Sequence, residues 1–299
     1  MSTADPPVYG FVLGTGRCGS TLAQEVLARH EDAGFVSNID DNLARLELAG
    51  RLNSTMYRRL PTFLQEKGRL RYAPSEGYKM LDRQVSPLLS TPSRDLLAAD
   101  ATPWLSERFR RFFETRAHAQ DAPLFLHKFT GWPRSGFIQA VFPEARFVNV
   151  VRDGRAVANS WLQMDWWKGY EGPDHWQFGP LCAEYAEEWE ASGRSFVLLA
   201  GLAWKLLLDS FAAARQAAAP GTWLDIRYED VVTDPHATFE RALDFLGLGM
   251  TPAFEAQLAR YEFRSGRSEA FRRDLDPTSL ALLDASLADH LGTWGYAPS

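Results

Sequence analysis

The sequence predicts an α/β protein built on a P-loop-like parallel sheet flanked by helices. Four short apolar runs are each followed by a turn and a stretch with helical periodicity, which is typical of βαβ units. The turn after the first run is rich in glycine. The 299 residues are 45% hydrophobic and 23% charged, a composition that indicates a folded protein with a sizeable core.

The first unit is a strand at 9–13, a glycine turn at 14–21 and a helix with apolar residues at Leu22, Val26 and Leu27. The run before the turn holds β-branched and aromatic residues, which favour a strand. The apolar spacing after the turn favours a helix.

The second and third units repeat this order. An apolar strand at 124–128 ends in Lys128, and a helix is predicted from Pro133, because proline is accepted in the first turn of a helix. A strand at 146–151 leads into Arg152 and a further helix.

The fourth strand is predicted at 222–227, before Tyr228 and a helix at 235–246. One long helix is expected at 195–219, where apolar residues follow a helical face.

The remaining chain is expected to elaborate this sheet. A helical insertion at about 40–120 would cover one end of it. A long loop at about 163–180 is rich in Trp, Gly and Pro and would serve as a lid or pocket wall. No shift in composition marks a boundary, so we expect one domain over residues 1–299.

The charge of the chain limits its partners. Lys and Arg total 32 and Asp and Glu total 38, so the net charge is −6, and the pI is near 5.6. This disfavours a nucleic-acid binder, although a local pocket can still be positive. Two distant cysteines offer neither a disulfide framework nor a zinc cluster, and no segment has the roughly 18 consecutive apolar residues that span a bilayer. We therefore expect a cytoplasmic protein without stable membrane insertion.

The glycine turn is similar to a phosphate-binding loop but lacks its lysine. Gly14 and Gly19 have the separation of the Walker A pattern, yet Ser20 stands at the lysine position. The cation is Arg17 instead. The amides of Gly19, Ser20 and Thr21 lie at a predicted helix N-terminus, where they can bind an oxyanion. A glycine turn without a ligand is the alternative interpretation.

A second anion position is predicted after the third strand. Arg152 stands at the strand's carboxyl end, and Ser160 lies eight residues later in the following helix. Ligands of open α/β sheets bind outside the carboxyl ends of the strands, so both residues are expected to face the crevice of Arg17. The pattern indicates a ligand with two separated phosphate groups. Alternatively, Arg152 and Asp153 form an ion pair at the helix start.

These motifs resemble those of the sulfotransferases that use 3'-phosphoadenosine 5'-phosphosulfate (PAPS). Residues 15–22, TGRCGSTL, look like the family's 5'-phosphosulfate loop, and residues 147–160, FVNVVRDGRAVANS, are similar to its 3'-phosphate motif. Lys128 matches a lysine on a strand that leads into the family's pocket. Arginine at position 17 is most similar to bacterial and tyrosylprotein-type members.

Two later segments extend the resemblance. Tyr228-Glu229-Asp230 looks like the segment whose tyrosine contacts the adenine. Residues 264–275, followed by a helix that ends near Tyr296, are similar to a C-terminal loop that closes over the 3'-phosphate in bacterial members.

The resemblance implies a role for each matching residue. The 5'-phosphosulfate would be held by Arg17, Cys18, Gly19, Ser20 and Thr21. The 3'-phosphate would be held by Arg152 and Ser160, with Arg264 and Arg267 from the C-terminal loop. Tyr228 would contact the adenine.

The implied activity is transfer of a sulfuryl group from PAPS to a hydroxyl or amine of a small-molecule, lipid or peptide acceptor, with 3'-phosphoadenosine 5'-phosphate (PAP) as the product. Arg17 and Lys128 would stabilise the charge that grows on the leaving oxygen. No metal is required by this chemistry, and the sequence shows no cluster of metal-ligand type. A homodimer is left open.

The sequence departs from the family pattern at the position of the base, the group that removes the acceptor's proton. Tyrosylprotein members place a glutamate a little after the first helix, where this chain has Asn38, and an amide cannot accept the proton. Asp41 or Asp40 is the expected replacement. Capping of a helix at 42–48 by this pair is the alternative. His175 in the Trp-rich loop is another candidate.

Two other functions stay open. A phosphate-loop kinase or nucleotide hydrolase is disfavoured by Ser20, but Asp153 follows a strand as a magnesium ligand would. A non-catalytic nucleotide-binding protein that has lost its base is suggested by Asn38.

Overall fold

The computed structural model describes residues 6–60, 71–264 and 268–297. Five strands form one sheet: β1 (Val8–Leu13), β2 (Ala33–Phe35), β3 (Leu124–Lys128), β4 (Arg146–Val151) and β5 (Trp223–Arg227). Their order is β2-β3-β1-β4-β5, and every neighbouring pair is parallel. The predicted α/β class, with a P-loop-like parallel sheet flanked by helices, is confirmed.

A helix follows each strand. Up to β4 and just beyond it the helices are α1 (Ser20–Leu27), α2 (Asn38–Asn42), α3 (Asn53–Arg59), α4 (Tyr78–Gln84), α5 (Pro103–Gln120), α6 (Ser135–Val141) and α7 (Gly154–Leu162). The later ones are α8 (Ala183–Ala191), α9 (Phe196–Ala217), α10 (Tyr228–Thr233), α11 (Pro235–Leu246), α12 (Pro252–Leu258), α13 (Phe271–Asp274) and α14 (Pro277–Thr293). Short 3-10 turns lie at Ala44–Leu46, Pro87–Leu89, Ala98–Asp100 and Gly169–Glu171.

The central strands are buried on both faces, as expected for a parallel sheet covered by helices. Phe11 of β1 packs against Phe113 of α5 and Phe129, with ring centroids 5.5 and 6.1 Å apart. His127 lies among these rings and is fully buried, because alternation along β3 turns it away from the face of Lys128. Burial, reinforced by nearby cations, lowers the pKa of His127 to about 3.

The observed bounds differ from the predicted ones mainly at turns. The helix expected from Pro133 begins at Ser135, because Arg134 has a left-handed φ of 58°. The short strand β2 and the helices α8, α10, α12 and α13 were not predicted. The described part of the insertion at about 40–120 is mostly helical, and residues 61–70 of it lie outside the described residues.

Helix α9 is long and apolar enough to cross a membrane by length and composition alone, and 61% of its most apolar window is buried inside the protein. It packs against α7 and α14, where the Trp204 ring lies directly over Gly154. Burial in the core accounts for its apolar composition.

Candidate functional site

A cavity of about 800 Å³ opens at the carboxyl ends of β1, β3, β4 and β5. This is where ligands bind in open α/β sheets, and the volume is that of an ordinary ligand pocket. Its charged lining residues are four cations, Arg17, Lys128, Arg152 and Lys168, and one carboxylate, Glu76. The cavity is therefore locally positive, although the chain carries a net charge of −6.

The turn between β1 and α1 has the backbone shape of an anion-binding loop. Gly16, Arg17 and Gly19 have φ angles of 87°, 55° and 94°. Successive amides in such left-handed turns converge on one point, here at the N-terminus of α1. Glycine is also required at position 19 because a Cβ there would overlap the ring of Tyr228.

Three separate strand ends bring their polar side chains together in this cavity. Arg17 Nε donates a hydrogen bond to Ser160 Oγ at 2.9 Å. Arg152 donates to the backbone oxygen of Arg17 at 3.0 Å. The Arg152 guanidinium lies 4.5 Å from the ring centroid of Tyr228, which is a cation–π geometry. The structure thus places Arg17, Arg152 and Tyr228, predicted from distant motifs, around the cavity, and Ser160 in contact with Arg17.

Lys128 completes the site from the end of β3. Its Nζ donates to Thr21 Oγ1 at 2.6 Å and lies 3.0 Å from Glu76 Oε1. Thr130 Oγ1 donates to the same Glu76 oxygen at 2.8 Å. A cation and a carboxylate therefore meet beside the glycine turn.

Glu76 was missed by the sequence analysis. Its segment is held beside the first unit by a bridge between Ser37 and Pro74 and by the Asn38 amide, which donates to Ala73 O at 2.8 Å. Asn38, at the position expected for the base, thus supports the segment that carries a carboxylate. The nearest local signal is Gly77, whose left-handed turn directly follows Glu76, but no periodicity links this turn to the sheet.

The expectation that Asp40 or Asp41 is the base needs correction, because neither lines the cavity. Asp40 is buried and caps α2, where its Oδ2 accepts hydrogen bonds from the amide and hydroxyl of Ser37 and from Asn53. Asp41 lies in a separate cleft beside Lys79 and accepts from the amide of Met80 at 3.2 Å. Burial raises the pKa of Asp41. Asp40 thus caps a helix, although this helix is α2 and not the one expected at 42–48, whereas Asp41 accepts from the first turn of α4.

Two predicted donor-binding residues, Cys18 and Arg264, do not face the cavity, and a third lies outside the described residues. Cys18 is fully buried, with its sulfur packed against Gly14, so its side chain fills the turn and does not face a ligand. Arg264 is 83% exposed and pairs with Glu262 at 2.6 Å, and it does not line the cavity. Arg267 lies outside the described residues.

The loop at about 163–180 forms one wall of the cavity through Trp166, Lys168, Gln177 and Phe178. Most of its aromatic rings are structural, since Trp167, Trp176 and Phe178 are buried and packed on one another and on Trp161. Trp166 is 47% exposed and is the tryptophan that faces the cavity.

Metal-ligating side chains do not cluster in the part of the chain that the structure describes, where no three His, Cys, Asp or Glu residues come together in the manner of a metal site.

A profile described as the sulfotransferase family matches residues 10–252. A search of curated proteins found no match. The sulfotransferase STF9 from Mycobacterium avium has a similar structure, with a TM-score of 0.55 and 17% identity over 97% of this chain and 77% of that one. The sulfotransferase domain from the curacin biosynthetic pathway has a TM-score of 0.52 and 13% identity over 95% of this chain and 99% of that one. At these identities the structural likeness concerns the fold alone, whereas the profile covers most of the sequence. The chain belongs to the sulfotransferase family.

Proposed function

We propose that this protein transfers a sulfuryl group from PAPS to a hydroxyl or amine of a small-molecule, lipid or peptide acceptor. The observation that carries the proposal is the meeting of Arg17, Arg152 and Tyr228 in one positive cavity, with Ser160 bonded to the Arg17 side chain. A ligand that suits these groups has two anionic ends and a flat ring. PAPS has a 5'-phosphosulfate, a 3'-phosphate and an adenine.

The residues present fit this donor. The glycine turn offers backbone amides and Thr21 for the 5' end, Arg152 and Ser160 offer charge-assisted hydrogen bonds for the 3'-phosphate, and the Tyr228 ring offers a stacking surface. Arg17 lies between the two ends, because its backbone belongs to the turn and its side chain reaches Ser160.

The chemistry requires a cation at the leaving oxygen. When the bond between sulfur and the bridging oxygen breaks, negative charge grows on the phosphate, and a cation placed there beforehand lowers the barrier. Lys128 and Arg17 are the residues proposed for this role. Lys128 is only 5% exposed, so little water screens its charge.

Phosphoryl transfer is less well supported by the site. Ser20 replaces the lysine that a nucleotide hydrolase needs. Asp153, the residue that kept this function open, pairs with Arg155 at 2.7 Å and caps α7, so its carboxylate is already engaged in the structure.

Calorimetry and an activity assay test the proposal together. PAP is expected to bind without magnesium, whereas ATP with magnesium is expected to bind weakly or not at all. PAPS with labelled sulfate is then offered with a phenol, an aliphatic alcohol, a lipid alcohol and a tyrosine peptide, and label should pass to at least one of them. Magnesium-dependent ATP binding in preference to PAP would favour the kinase, and PAP binding without any transfer or PAPS turnover would favour a non-catalytic protein.

A further inference from the structure

We propose that Glu76 is the general base that removes the acceptor's proton, an inference that rests on the proposed sulfuryl transfer. No motif of the sequence points to this residue. The inference comes from the position of its carboxylate in the cavity.

Glu76 is the single acidic residue among the described residues that line the cavity. Its side chain is 27% exposed, so it can be reached by a ligand in the cavity. Lys128 Nζ and Thr130 Oγ1 hold its Oε1 at 3.0 and 2.8 Å. Two donors to one oxygen fix the carboxylate in place and leave its second oxygen for a further hydrogen bond.

Three other acid–base side chains near the sheet are occupied or face away from the cavity. The Asp40 carboxylate accepts hydrogen bonds in the cap of α2, and the Asp153 carboxylate forms an ion pair with Arg155. His127 is fully buried among aromatic rings on the opposite face of β3 from Lys128. Each of these groups would need a rearrangement of the core to reach an acceptor.

The short distance between Glu76 and Lys128 suits a displacement at sulfur. The oxygen that enters and the oxygen that leaves are a few Å apart on opposite sides of the sulfur, so a base and a cation must act close to each other. Glu76 Oε1 and Lys128 Nζ are 3.0 Å apart, with Lys128 on the side of the glycine turn through Thr21.

The step balances without a further reactant. A lone pair of the acceptor oxygen forms the new bond to sulfur, while the bond from sulfur to the bridging oxygen breaks and its electron pair stays on the 5'-phosphate of PAP. The acceptor's proton passes to the Glu76 carboxylate and is released to solvent after the product leaves.

The substitution Glu76→Gln distinguishes two roles of Glu76, that of a general base and that of a group that only positions Lys128. Glutamine retains an oxygen that can accept from Lys128 and Thr130, but it cannot take a proton. Glu107→Gln is the matched control, because Glu107 lies on α5, pairs with Arg111 at the surface and does not line the cavity. Glu76→Asp, which retains a carboxylate, is expected to keep more activity than Glu76→Gln.

The readouts are PAP affinity by calorimetry and PAP release from PAPS at pH 8 with water, phenol or 4-nitrophenol as the acceptor. In Glu76→Gln, PAP affinity should stay within about threefold of the parent, which also shows that the variant is folded. The rates with water and phenol should fall by roughly 100-fold or more, the ordinary contribution of a general base. The rate with 4-nitrophenol, which is largely ionised at this pH and has no proton to lose, should fall by less than about tenfold.

Three results are decisive. If Glu76→Gln keeps the parent's rate with water and phenol, Glu76 is not the base. If all acceptors, ionised or not, lose the same factor, Glu76 acts through Lys128, and the inference is again overturned. A parent that is saturated with PAPS and releases no PAP with any of the three acceptors would contradict the proposed function itself.

Discussion

The side chain of Arg17 reaches Ser160 across 143 positions of the chain, with Nε donating to Oγ at 2.9 Å. One residue comes from the turn after β1 and the other from α7, which follows β4. The two strands pair directly, with Phe11 opposite Phe147, so their carboxyl ends open side by side. The two expected anion positions are therefore parts of one continuous site.

Arg17→Ala and Arg152→Ala should each weaken PAP binding by roughly 2 to 4 kcal/mol, because each removes a charge-assisted contact in a partly desolvated cavity. Calorimetry at constant salt measures this change. Arg194→Ala, on an exposed arginine paired with Glu190, is the control and should leave the affinity within twofold. Parent-like affinity in both cavity variants would mean that PAP does not bind in this cavity.

Lys128→Met should lower kcat by about 100- to 1000-fold, the range seen when one donor to a developing negative charge is removed. The apolar stem that packs beneath the charge is retained by methionine, and PAP affinity should fall by less than about tenfold. Steady-state kinetics with PAPS and a transferred acceptor gives both values. A large loss of affinity with unchanged kcat would instead assign Lys128 to ground-state binding.

Asp40→Ala should lower the free energy of unfolding by about 3 kcal/mol, because it leaves the buried amide of Ser37 without its acceptor and removes one of the two acceptors of the Asn53 side-chain amide. Urea unfolding followed by circular dichroism measures this. The folded fraction should bind PAP like the parent, since Asp40 does not line the cavity. A stable variant that loses turnover would restore Asp40 as a catalytic candidate.

The protein should lose stability below about pH 6.5 through His127. The pKa of this residue is about 3 in the folded chain, so between pH 3 and 6.5 the unfolded state binds a proton that the folded state does not. Unfolding is therefore favoured as the pH falls, by about 2 kcal/mol between pH 8 and pH 5. His127→Phe, which places another ring among Phe11, Phe113 and Phe129, should remove this share of the pH dependence.

Urea unfolding at pH 8 and pH 5 compares the two proteins. Both should show some acid destabilisation from other groups, and the difference between them isolates His127. Identical pH dependence in parent and variant would show that His127 is not held neutral in the folded state.

Local patterns were sufficient for four of the five strands and for the cations at the ends of two of them. The run 124–128 and the run 146–151 have the observed bounds of β3 and β4, because a buried parallel strand is apolar along its whole length. Arg152 and Lys128 could be placed at one edge of the sheet because each directly ends a strand. Their location follows from a few adjacent residues.

The carboxylate of the site could not be placed in this way. Counting residues from the first helix led to Asn38 and Asp41, whereas the chain supplies Glu76 from a segment that returns beside Ser37 through an isolated antiparallel bridge. Side-chain hydrogen bonds such as that of Asn38 to Ala73 hold this return, and they leave no periodic trace in the sequence.

The sequence by itself determined that the first strand of a parallel sheet is followed by a glycine turn whose cation is Arg17, because each of these features is encoded within one short stretch. Only the tertiary structure decided which acidic group faces Lys128 and which merely caps a helix. Contacts between segments that are far apart in the chain make that choice, since a carboxylate has the same local pattern whether it is buried in a cap or exposed in a cavity.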